Sequence, residues 1–176
     1  MAVNEVSMTE PMILAIDQGT SSTKAVLFDA AGRIMVKAAC SLTSCFPEPG
    51  FVEQEPEDIY QSVLGAVRQC LESFRIRYGR EARPVICGLS NQRETFLLWD
   101  RTGRPYGRAG VWQCKRSVGF CRGLKKTEAE DLTRRRTGLT ADPYFPGTNR
   151  MWLCEKDPRL RSAIRAGEIF FGTVDT

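Results

Sequence analysis

Two short apolar runs separated by an unbroken polar stretch constrain this chain more than any other feature. Ile13–Ile16 and Ala25–Phe28 are wholly apolar, and between them stand Asp17, Gln18, Gly19, Thr20, Ser21, Ser22, Thr23 and Lys24. Continuous apolar runs mark strands buried on both faces. Ile13–Asp29 therefore predicts a hairpin of two buried strands with a polar tip. The tip offers a carboxylate, a glycine that lets backbone approach a ligand, four hydroxyls and an ammonium. A phosphate beside a hydrated metal ion would use all of these groups. An ordinary polar turn would use the same residue types, and on this stretch alone both readings stay open. The loop is neither a G-x-x-x-x-G-K phosphate loop nor a G-x-G-x-x-G dinucleotide loop, for it lacks their further glycines.

The 176 residues suffice for one domain with a real core. A hydrophobic fraction of 42% with 26% charged residues is that of a soluble globular protein. The net charge of +4 slightly favours anionic ligands and does not argue for nucleic acid. Seven cysteines form no C-x-x-C pair and there is no histidine. Metal-ligand spacing is thus absent, and Ser-His-Asp and Cys-His nucleophiles are excluded. Reduced cysteines in a cytoplasmic protein are the simplest account. Residues 1–11 read as a flexible N-terminus without the apolar core of a signal peptide, and no apolar run reaches membrane-spanning length.

In chain order, Ala30–Arg33 predicts a turn and Ile34–Ser41 a third strand antiparallel to the second. Pro47, Pro49 and Gly50 mark a loop, and Phe51–Gln54 is extended. Pro56, followed by Glu57 and Asp58, opens a helix whose apolar face is Ile59, Val63, Val67, Cys70, Leu71 and Phe74. Arg75–Arg83 reads as a polar connection. Val85–Leu89 predicts a buried strand, Phe96–Trp99 another and Ala109–Gln113 a further one, with a turn at Arg101–Pro105. Thr127 and Glu130 form a capping-box pattern for a helix closed by Gly138. Gly147–Lys156 and Pro158–Ala166 are short helices before a last strand, Ile169–Gly172. The order implies an α/β domain with a mixed sheet. The basic run Arg134–Arg136, with Lys125 and Lys126, reads as a solvated face.

Between two of the strands, Ser90–Thr95 sets Arg93 and Glu94 side by side. The arginine fork donates and the carboxylate accepts, so together they can bracket a vicinal diol. A surface ion pair is the alternative. Adjacent strand residues point to opposite faces, so for both to reach one ligand the backbone at Asn91–Thr95 must leave the strand conformation. Trp112 and Tyr144 could pack on the C–H side of a polyol and bond its oxygens, or simply fill a core.

Taken together, IDQGTSSTKAVLFD, FPEPGFVEQEP, SNQRET, WDRTGRP, VWQCKRS, RTGLTADPYFPGTN and FGTVDT resemble, in order and spacing, the FGGY carbohydrate kinases. Among them the match is to members that act on glycerol. The resemblance runs from Met12 to Thr176. It implies a ribonuclease-H-like fold of the actin and hexokinase type, a mixed sheet flanked by helices, here as an incomplete N-terminal domain. It implies transfer of the ATP γ-phosphate to glycerol with Mg²⁺, in a cytoplasmic homo-oligomer without nucleic-acid or membrane partners. Thr20, Ser21, Ser22 and Lys24 would contact nucleotide phosphates, and Asp17 would sit near hydrated Mg²⁺. Arg93, Glu94 and Tyr144 would bond glycerol while Trp112 packs on its carbons. The resemblance departs at Lys24, where such kinases usually carry Arg, and at Ser21, where they carry Thr. Family members run to several hundred residues, with a catalytic Asp after the FGT-x-D-T motif and a second domain. The 176 residues alone are therefore expected to be inactive, the base lying beyond Thr176. A kinase of another polyol or sugar, and a degenerate non-catalytic binding domain, remain as alternatives.

Overall fold

The structure is a computed structural model that describes residues 11–176. The expected flexible segment, residues 1–11, lies outside them but for Pro11. Along the chain run β1 (Met12–Gln18), β2 (Ser22–Phe28), β3 (Ile34–Ser41), β4 (Glu53–Gln54), α1 (Pro56–Tyr78), β5 (Pro84–Asn91), β6 (Phe96–Asp100) and β7 (Ala109–Gly110). They are followed by α2 (Val118–Leu124), α3 (Glu128–Thr137), α4 (Pro146–Lys156), α5 (Pro158–Arg165) and β8 (Ile169–Thr173). These elements gather into two compact units, one up to Thr43 with Glu57–Asn91, the other Ser44–Pro56 with Gln92–Thr176. No helix among the described residues is long and apolar enough to cross a membrane. All seven cysteines are free thiols.

In the first unit the sheet order is β3-β2-β1-β5, with β1 antiparallel to β2 and parallel to β5. The mixed sheet expected from the sequence is therefore present. Its strands are not buried on both faces, however. Met12, Leu14 and Ile16 are buried, whereas Ile13 is 37% exposed and Asp17 is exposed. The reason is that α1 packs on one face only, through Ala66, Cys70 and Phe74. Its buried positions are Ile59, Ser62, Ala66, Cys70 and Phe74, with Val63 and Val67 displaced to the margin. Small side chains at the centre let helix and sheet approach. A Cβ on Gly65 would come within 2.9 Å of the Cys40 sulfur. The Ser62 hydroxyl bonds Thr23 at 2.6 Å. The helix also runs on to Tyr78, where expectation had a polar connection, because the Tyr78 ring packs at a tilt on Phe74, centroids 4.6 Å apart.

β5 corrects a second expectation. Its Val85, Ile86 and Leu89 are 64%, 60% and 57% exposed rather than buried. Val85 and Ile86 are adjacent and so lie on opposite faces. Both faces of β5 are therefore bare, and among the described residues its only strand partner is β1.

The second unit holds an antiparallel sheet of order β4-β7-β6-β8. Phe96, Leu98, Leu160 and Ile169 form its core. β7 passes so close to Phe96 that a Cβ on Gly110 would run into the ring. β7 stops at Gly110, short of the expected Gln113. The chain turns there, with Cys114 N bonded to Val111 O at 2.8 Å. α2, with Gly119 and Gly123 inside it, was not foreseen from the sequence. α3 starts after Thr127 and ends at Gly138 (φ 73°) as expected, but without a capping box. Instead Thr127 Oγ1 donates to Leu124 O and Glu130 accepts from Lys126 N.

One turn pattern occurs in both units. In Asp29-Ala-Ala-Gly-Arg33 and Asp100-Arg-Thr-Gly-Arg104, the Asp carboxylate accepts from the amides two and four residues on. The glycine takes a positive φ, 77° at Gly32 and 81° at Gly103, a conformation other residues resist. The Arg33 amide and then its guanidinium hold the Asp29 carboxyl below the usual carboxylate range. The Thr102 hydroxyl and amide do the same for Asp100.

Candidate active site

The polar tip of the first hairpin is tighter than its sequence implied. Asp17 and Gln18 belong to β1, Ser22, Thr23 and Lys24 to β2, and the loop proper is Gly19–Ser21. Gly19 N bonds Ser22 O at 3.1 Å, and a Cβ on Gly19 would press on that oxygen at 3.0 Å. Leu42 N anchors the loop through Ser21 O at 2.9 Å. Antiparallel register sets Asp17 directly opposite Lys24. Their side chains meet at 3.2 Å, both more than half exposed. Of the four hydroxyls, Thr23 is fully buried and committed to Ser62. Thr20 and Ser22 are half-buried and Ser21 is exposed. The structure thus groups Asp17, Thr20, Ser21, Ser22 and Lys24 at one hairpin end. No group of three metal-ligating side chains occurs among the described residues.

In the second unit, Arg93 and Glu94 sit on a turn closed by Thr95 N bonded to Gln92 O at 3.2 Å. The backbone has left the strand conformation there, as a joint role of the two side chains requires. Neither side chain pairs with the other or with any described residue, so the surface ion pair is not formed. Arg93 is exposed and Glu94 half-buried. Beneath them runs a chain of buried polar groups. Gln54 Nε2 donates to Ser44 Oγ (2.9 Å), Gln92 Nε2 to Gln54 Oε1 (2.8 Å) and Thr95 Oγ1 to Gln92 Oε1 (2.9 Å). Trp112 N donates in turn to Thr95 Oγ1 at 3.2 Å. Gln54 and Thr95 are wholly buried and Gln92 nearly so. One network therefore fixes both the Arg93–Glu94 turn and the backbone of Trp112.

Trp112 and Tyr144 lie edge to face with ring centroids 5.9 Å apart. They are 37% and 38% exposed, which does not suit core filling. The loop bearing Tyr144 is also pinned. Tyr144 N bonds the Asp142 carboxylate at 2.8 Å, and buried Asn149 donates to Pro143 O (2.8 Å) and Phe145 O (3.2 Å).

Sequence reasoning missed Gln54, Gln92, Thr95 and Asn149. Their one signal was polar residues inside the motifs FPEPGFVEQEP, SNQRET and RTGLTADPYFPGTN. Arg116 was also missed. It is nearly buried, bonds Glu53 at 2.5 Å and Cys114 Sγ at 3.0 Å, and lies 4.5 Å over the Phe51 ring. Burial opposes its charge, but the hydrogen bonds to Cys114 and Glu53 outweigh that and raise its pKa. Arg116 is thus an internal anchor. Lys125, Lys126 and Arg134–Arg136 are all exposed, as a solvated face requires.

The profile of the FGGY family of carbohydrate kinases, N-terminal domain, matches residues 12–176. Among curated relatives, the glycerol kinase of Thermus brockianus is 45% identical over 93% of this chain and 33% of its own length. That of Methylobacterium nodulans is 47% identical over 94% of this chain and 32% of its own. Among solved structures, Plasmodium falciparum glycerol kinase with ADP superposes with a TM-score of 0.82 at 26% identity, over 95% of this chain and 33% of that one. A Lactobacillus acidophilus gluconate kinase shares the fold, with a TM-score of 0.79 at 18% identity. The expected actin and hexokinase type of fold is thereby established. The chain spans about a third of the length of the relatives it matches. It belongs to the FGGY family of carbohydrate kinases and carries that family's N-terminal domain.

Proposed function

We propose that these residues serve an ATP-dependent kinase that phosphorylates glycerol to glycerol 3-phosphate. One observation carries the reading: Arg93 and Glu94, side by side and unpaired, stand on a turn locked by a buried amide network that also holds Trp112. An unpaired guanidinium and carboxylate that make no bond to each other are free to bracket a diol, one donating and the other accepting. The Tyr144 hydroxyl, without a partner among the described residues, adds a third group, and the exposed Trp112 face suits the carbon chain. The names of the relatives, glycerol kinases at 45–47% identity, support glycerol over a sugar as acceptor.

Under the same proposal, Thr20, Ser21 and Ser22 bond nucleotide phosphates. Mg²⁺ is commonly held by one or two carboxylates besides waters and substrate phosphates, and Asp17 is a carboxylate of that kind. When bound, the ion would neutralise phosphate charge. Lys24, now on Asp17, would turn to phosphate as a point charge rather than a bidentate fork. Phosphoryl transfer rests on positioning and charge stabilisation. We place the base that takes the acceptor proton outside these residues, so that the 176 residues alone give no turnover. A cytoplasmic homo-oligomer belongs to the same reading.

The test is Glu94→Ala in the protein that carries these residues together with the remainder found in the relatives. Loss of hydrogen bonds to a charged group costs about 1.5–3 kcal/mol, so kcat/KM for glycerol should fall about ten- to a hundredfold. Unchanged glycerol kinetics, or a preference for a pentose over glycerol in the unaltered enzyme, would overturn the proposal.

A further inference from the structure

Helices α4 and α5 pack together within the second unit, and a cleft of about 300 Å³ opens along them. Three arginines line it: Arg150 from α4, with Arg161 and Arg165, one turn apart, from α5. Arg33, Arg75, Arg108 and Arg116 each hold a carboxylate. The cleft arginines make no side-chain hydrogen bond or ion pair with any described residue. The carboxylate in the lining, Glu155, pairs with none of them. Asp157, between the two helices, is occupied in capping α5 through Arg159 N and Leu160 N. Three guanidiniums against one carboxylate leave a local charge of +2. Like charges one helical turn apart repel, and no carboxylate among the described residues pairs with Arg161 or Arg165.

An arginine fork matches phosphate oxygens in geometry as well as charge, and arginine stays ionised at any working pH. A dianionic phosphate would bring the local charge to zero. The rest of the wall is apolar, from Phe120 of α2, Met151 and Ile164. That combination of unpaired guanidiniums and an apolar wall sets the cleft apart from Arg134–Arg136, which are simply exposed. We propose that the cleft binds a phosphate monoester of a small organic molecule, the phosphate on the three arginines and the organic body against the apolar wall. The site is independent of the kinase reading, which uses none of these residues.

Phenyl phosphate titrated into the whole chain at constant ionic strength, followed by NMR of backbone amides and arginine side chains, tests this. Saturable shifts at Met151, Arg161 and Arg165 are expected, with inorganic phosphate binding more weakly. Arg161→Gln with Arg165→Gln should weaken binding about tenfold or more, whereas Arg134→Gln with Arg135→Gln, equal in charge change, should not. Absence of saturation, or equal weakening by both pairs, would overturn the site. Equal affinity for inorganic phosphate would overturn the role of the apolar wall.

Discussion

Gln92 links two buried partners through one amide, giving to Gln54 and accepting from Thr95. Gln92→Leu would fill similar volume yet leave the Thr95 hydroxyl proton without an acceptor and remove a donor from the Gln54 oxygen. Leaving the buried Thr95 hydroxyl without its acceptor costs about 1–3 kcal/mol, so urea unfolding of the second unit should shift by about that amount. Gln54→Leu combined with Gln92→Leu should cost less than the two single changes added together. Strict additivity would show that the amides do not act as a pair. The two tiers of this site were unequally legible. Arg93 and Glu94 could be read from donor and acceptor chemistry, and the departure from strand geometry followed from side-chain alternation. Gln54, Gln92 and Thr95 could not, since a buried polar pair distant in sequence leaves no periodic mark. The Asp17–Lys24 contact lay in between. Both residues were singled out as ligand groups, but only strand register reveals that they face each other.

Turns and strands differ in the same way at the scale of elements. The Asp-x-x-Gly-Arg turns are local, and their glycine and aspartate announce them. Their electrostatics yield a pH dependence. The folded Asp29 carboxyl titrates below its unfolded value, about 3.9. Its stabilisation is therefore complete above the unfolded pKa and lost as pH falls through the folded one. Asp29→Asn should lower Tm at pH 7 and flatten the decline of Tm as pH falls below the unfolded carboxyl value. An unchanged acid limb in thermal unfolding would contradict the assignment. β3, α1 and β8 were likewise close to expectation because caps and periodicity mark them. α2 was hidden because its glycines mask helical periodicity. β5 was misread because an apolar run records what a strand can bury, not what covers it.

That distinction dominates the molecule as a whole. Each of the two units has a core of its own, yet among the described residues β5 keeps three large apolar residues in solvent and one edge without a strand. An unguarded apolar edge is a template for association. The chain by itself should self-associate, and Ile86→Lys with Leu89→Lys should raise the monomer fraction in sedimentation at equal concentration. Equal association with and without the lysines would clear β5 of that role. The same strand also imposes a schedule on synthesis. Between the addition of Asn91 and that of Thr176 lie 85 further residues (176 − 91). At about 5–20 residues per second this takes roughly 4–17 s. For that interval every residue of β5 has been made and nothing described here arrives to cover it. A nascent chain of this kind thus completes everything described here with the apolar residues of that strand still bare.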